Sequence, residues 1–169
     1  VTDRAYACQV LLSLCETVGM RLRRDGQAGS CVTIQLRTSE FETWSHQTRL
    51  ASATNVTGEL YQAACSLLDQ AWDRKTPLRQ LGVSVTQLAD GTLRQYSLFD
   101  AADYARQEKL DTAVDALREK FGEGALFRAA LLHSDERMAG GLHKKRRTGI
   151  TKPIEDEAAR IRKKYGNND

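Results

Sequence analysis

Apolar residues recur every three to four positions at the start of the chain and every second position soon afterwards, and these changes of period divide it into elements. Val10, Leu11, Leu14, Val18 and Leu22 share one helical face. Thr2 is the expected N-cap, and Arg23-Arg24-Asp25-Gly26 closes the segment with late-turn cations and a glycine. Cys31 to Arg37 then alternates, with Val32, Ile34 and Leu36 on one side and Thr33, Gln35 and Arg37 on the other. A short polar connection, residues 38–42, leads to a second alternating run from Thr43 to Leu50, so the two predict an antiparallel hairpin. Asn55 is the expected N-cap of a second helix through Leu60, Ala64, Leu67, Leu68 and Ala71, which ends before Pro77. Leu81 to Gln87 reads as a third strand with Leu81, Val83 and Val85 inward.

The order α-β-β-α-β predicts an α+β fold, a ferredoxin-like split βαβ sheet with two helices on one face and its first strand missing. The opposite face then shows Thr33, Gln35, Arg37, Ser45, Gln47, Arg49, Ser84 and Thr86. Hydroxyls, amides and arginines in that arrangement can hold phosphate oxygens without reading base sequence. A merely solvated face, common in antiparallel sheets, is the competing reading.

Farther along, residues 108–121 are expected to be helical with Leu110, Val114, Leu117 and Phe121 on one stripe, followed by an apolar run at 125–132 that reads as a strand or short buried segment. The division expected is 1–89 for the sheet domain, 90–104 for a linker, 105–132 for a helix-strand extension and 133–169 for a basic tail. Charge supports the last boundary. Of the net +3, residues 133–169 contribute ten Lys and Arg against six Asp and Glu, leaving the first 132 residues at −1. Any nucleic-acid contact by the sheet domain must therefore come from placed groups. The run His143 to Arg147 reads either as a solvated tail or as a phosphate-binding arm.

No apolar stretch approaches the roughly 18 residues of a membrane span, and Asp3, Arg4 and Glu16 stand where a signal peptide would be apolar, so a cytoplasmic protein is expected. Cys8, Cys15, Cys31 and Cys65 form no C-x-x-C pair and read as reduced, mostly buried thiols. His46, His133 and His143 are not at ligand spacing, and neither clustered carboxylates nor a phosphate-binding loop is legible. On its residues the chain binds and positions.

Gln95-Tyr96-Ser97-Leu98-Phe99 fits no period, and its two apolar residues read as core, as a short strand, or as a linear motif for a partner's pocket. The turn signal Asp90-Gly91 before it and the absence of a continuing period after it favour the motif. This stretch resembles the Q-x-S/D-L-F motif by which bacterial polymerases and repair proteins dock on the sliding clamp. Leu81 to Leu88 (LGVSVTQL) resembles the last strand of the little-finger domain of Y-family translesion DNA polymerases, and Phe41 to Leu50 (FETWSHQTRL) resembles that domain's hairpin strand. Residues 106–111, 116–122 and 126–129 are similar to an extension in the polymerase IV-like branch of Gram-positive bacteria.

The resemblance covers residues 1 to about 132 and implies a C-terminal part of an error-prone polymerase. It implies backbone contact with damaged template-primer DNA through Arg37, Ser45, His46, Gln47, Thr48 and Arg49, and clamp docking through Gln95, Ser97, Leu98 and Phe99. It also implies that the catalytic palm with its Mg²⁺-holding carboxylates lies N-terminal of Val1, so no cofactor is expected in this chain. The sequence departs from the family pattern at His46, where Arg is usual, at Arg49, where Thr is usual, and at Glu42. An RNA-binding module of related topology would need stacking aromatics on its strands, and only Trp44 is available, which reads as core.

Overall fold

A computed structural model describes residues 1–91, 101–122, 125–126 and 128–131. The elements run α1 (Arg4–Arg24), β1 (Gln27–Thr38), β2 (Thr43–Thr54), α2 (Thr57–Ala71), β3 (Leu78–Asp90), α3 (Ala101–Phe121) and a 3₁₀ turn (Ala129–Leu131). The three strands form one antiparallel sheet in the order β2-β1-β3. Both α1 and α2 cover the same face, so the α+β class and the layering expected from the sequence are what the chain adopts. None of the described helices is long and apolar enough to cross a membrane.

The core forms where the two periods meet. Leu11, Cys15 and Leu22 of α1 and Leu60, Leu67 and Leu68 of α2 close over Val32, Ile34 and Leu36, with Leu81, Val83 and Val85 packed at its margin as expected. Trp44 joins that margin and donates from Nε1 to the Ala71 carbonyl at 3.3 Å, as its reading as core requires. Val1 lies beside β3, where it exchanges two backbone hydrogen bonds with Leu78 at 2.6 and 2.8 Å.

Both expected caps are corrected. Asp3, not Thr2, caps α1, its carboxylate accepting from the Tyr6 N–H at 3.0 Å. Val56 stands at the N-cap of α2 and has no side chain able to accept, while Asn55 is buried and turned elsewhere. The donor left open is taken from outside the helix: Asp111 of α3 accepts the Thr57 N–H at 2.9 Å.

The helix expected in the extension is present, but it is longer and turned differently from what its apolar stripe suggests. Helix α3 begins at Ala101, and the run after it yields only the 3₁₀ turn among its described residues. Its apolar stripe is present but faces outward, with Leu110 at 60%, Leu117 at 43% and Phe121 at 65% exposure. The buried positions are instead Tyr104, Asp111 and Arg118, spaced by seven. Tyr104 donates to Asn55 Oδ1 at 3.1 Å, and Arg23 reaches the Asn55 carbonyl, Asp111 and Asp115. Arg118 and Arg128 both donate to the buried Glu16 of α1, at 3.3 and 2.7 Å. A desolvated carboxylate without such partners would be strongly unfavourable, so the helix docks by its polar side.

Candidate nucleic-acid interface

The strand register sets out the open face of the sheet in four rows: Arg49–Cys31–Thr86, Gln47–Thr33–Ser84, Ser45–Gln35–Gly82 and Thr43–Arg37–Gln80. Because side chains alternate across a strand, all eight polar residues expected on this face share it. The rows contain no carboxylate. Arg49 Nε donates to Gln87 Oε1 at 2.9 Å, a link that spans β1, and Ser30 Oγ donates to the same oxygen at 3.2 Å. Beneath that link Cys31 is buried yet stands apart from the main core cluster.

The run from Ser45 to Arg49 divides between faces. Ser45, Gln47 and Arg49 join Arg37 on the open face, whereas His46 and Thr48 pair with Ile34 and Val32 and therefore project to the helix side of edge strand β2. His46 is exposed there and Thr48 half-buried. Six residues expected to act together are thus four on one surface and two on the other.

Two residues that the sequence reading did not select complete the open face at its hairpin end. Arg37 lies with its guanidinium carbon 4.9 Å from the centre of the Phe41 ring, and Arg79 lies 4.7 Å from the same centre. A bulge in β3 places Arg79 there: Arg37 pairs with Gln80 and Thr38 with Leu78, so Arg79 is the extra residue whose side chain is re-aimed. Phe41 sits at φ 70°, a left-handed conformation uncommon for a bulky side chain, and is 55% exposed. The Arg37 Nε is buried without a hydrogen-bond partner. Two cations thus converge on one ring, and no ion pair to either is seen among the described residues. The bulge shifts the alternation by one, leaving Leu78 and Leu81 three residues apart, and the strand expected from the sequence begins at Leu81, beyond Arg79.

Among the described residues no group of three or more His, Cys, Asp or Glu side chains could hold a metal ion. The motif residues Gln95, Ser97, Leu98 and Phe99, and the basic tail, lie outside the described residues.

Residues 1–98 match the model of the impB/mucB/samB family C-terminal domain. DNA polymerase IV of Clostridium acetobutylicum is 34% identical over 137 residues, covering 81% of this chain and 34% of the relative. DNA polymerase IV 2 of Bacillus subtilis is 38% identical over 127 residues (73% and 30%), and DNA polymerase IV of Moorella thermoacetica 36% over 132 residues (78% and 32%). The chain thus spans about a third of the length of these curated relatives. With the family model matching more than half of its residues, the chain belongs to the impB/mucB/samB C-terminal domain family, the little-finger region of Y-family DNA polymerases.

Proposed function

We infer that this chain is the part of an error-prone translesion DNA polymerase that grips the DNA backbone and tethers the enzyme to the sliding clamp. The reaction of the whole protein is then templated nucleotide addition past damage, and its metal-dependent chemistry belongs to a palm outside this sequence. The observation that carries the DNA contact is the open sheet face, where Arg37 and Arg49 stand among hydroxyls and amides in rows free of carboxylates. Such a face binds phosphates with little preference for bases, as a polymerase passing damaged templates requires. The clamp contact rests on the residues Gln95 to Phe99 as a linear motif with two adjacent apolar anchors.

Binding of a labelled DNA duplex, measured at several salt concentrations, tests the grip. Each phosphate contact contributes about 0.9 to the slope of log affinity against log salt, so Arg37→Ala with Arg49→Ala flattens it by roughly two units. An unchanged slope means the face is only solvated. For the tether, Leu98→Ala with Phe99→Ala abolishes clamp binding in a calorimetric titration, since each anchor of this kind contributes about 2 kcal/mol; unchanged affinity refutes the motif.

A further inference from the structure

On the helix layer, remote from the polar sheet face, two thiols face each other. Cys8 of α1 and Cys65 of α2 have their sulfurs 3.5 Å apart, although 57 residues separate them in sequence. The packing of the two helices sets this proximity. One turn toward the start of α1, Arg4 makes two hydrogen bonds of 2.6 Å to Asp69, which lies one turn beyond Cys65 in α2. The pairs Arg4–Asp69 and Cys8–Cys65 are therefore successive rungs of one antiparallel helix pair, and the outer rung holds the inner one in register.

The two sulfurs differ in access. Cys8 is buried at 7% exposure, whereas Cys65 is only partly covered and lies beside the Tyr61 hydroxyl and the Arg4 guanidinium. One sulfur can meet a reagent from solvent while its neighbour is kept from it. That is the arrangement of an attacked thiol and a resolving thiol.

We propose that Cys8 and Cys65 form an oxidisable pair, which a peroxide converts into an intramolecular disulfide joining α1 to α2. In the first step the Cys65 sulfur attacks the peroxide O–O bond; the sulfur is oxidised to a sulfenic acid and the peroxide is reduced, leaving as water or an alcohol. In the second, the Cys8 sulfur attacks the sulfenic sulfur, the S–O bond breaks, and water departs with the Cys8 proton. Closing 3.5 Å to a bond of about 2.05 Å requires side-chain rotation and a small approach of the helices. Burial raises the Cys65 thiol to about 12, so little thiolate is present and the pair responds to sustained oxidant, not to traces.

The test treats the full chain with hydrogen peroxide, blocks remaining thiols with a maleimide after unfolding, and maps the products by tandem mass spectrometry. The expected result is a Cys8–Cys65 cross-link that dithiothreitol reverses, with a melting temperature several degrees higher in the oxidised form. Cys65→Ala, at a half-buried position, loses both the cross-link and the shift. Recovery of both cysteines as free thiols, arrest of Cys65 at the sulfinic acid, or a bond joining two chains would each overturn the proposal.

Discussion

Single side chains in this domain act mostly by holding neighbouring elements in register. The Asp69 carboxylate is held down to about 2 from its ordinary 3.8, chiefly by the hydrogen bond from Arg4, with Arg74 adding a second. Since the folded value is the lower one, the stabilisation is fully present above the ordinary carboxylate range and is lost as pH falls through about 2. Asp69→Asn is therefore expected to lower stability at pH 7 by about 0.5 kcal/mol, an amount typical of a solvent-screened pair, and by clearly less at pH 2, where about half of the folded carboxylate is protonated. Urea unfolding at the two pH values checks it. At Gly29 the constraint is steric: a Cβ there would lie 2.3 Å from the Val85 Cγ1. Gly29→Ala forces Val85 aside and is expected to destabilise by about 1–3 kcal/mol, read as a lower urea midpoint with an unchanged slope.

The elements differ in how openly the sequence announces them. Strands β1 and β3 declare themselves because alternation alone separates Val32, Ile34 and Leu36 from Thr33, Gln35 and Arg37, and a one-residue slip would turn the whole apolar set away from the helices. Helix α3 does the opposite. Its stripe of Leu110, Val114, Leu117 and Phe121 has true helical spacing, yet periodicity says only that a face exists, not which way it turns. The choice is made by Glu16 and Arg23, charges on α1 that local pattern gives no reason to bury and that Arg118, Asp111 and Asp115 neutralise. The same blindness to distant partners hid the cap of α2, supplied across 54 residues by Asp111. Asp111→Asn keeps the shape of the side chain but weakens charge-assisted bonds to Arg23, Arg128 and the Thr57 N–H. We expect a loss of about 2 kcal/mol and faster amide hydrogen exchange in α3 and the first turn of α2, with protection of β1 falling only by the global loss. Uniform exchange throughout would mean that α3 is not held through this carboxylate.

Across the whole molecule, the proposed grip and the proposed tether occupy separate parts of the chain. The face that carries Arg37, Arg49 and Arg79 is built entirely from β1, β2 and β3, while the motif at 95–99 falls between Asp90, the last residue of β3, and Ala101, the first of α3. Both flanks of that stretch are fastened. Gly91 donates to the Gly26 carbonyl at 3.0 Å, and Tyr104 is bonded to the buried Asn55. A clamp that engaged the motif would therefore be held within a few residues' reach of the domain body, short enough that clamp and DNA binding support each other on one primer-template. Neither contact shares a residue with the other, so their intrinsic energies should add. Arg79→Ala is expected to reduce the salt slope of duplex binding by about one unit and leave clamp affinity on its own unchanged, while Leu98→Ala with Phe99→Ala does the reverse. On DNA loaded with a clamp, the combined variant should lose more than either alone, because the effective concentration created by the tether disappears with it. A duplex affinity that falls when only Leu98 and Phe99 are changed would show that the motif belongs to the domain's own packing and not to a partner's pocket.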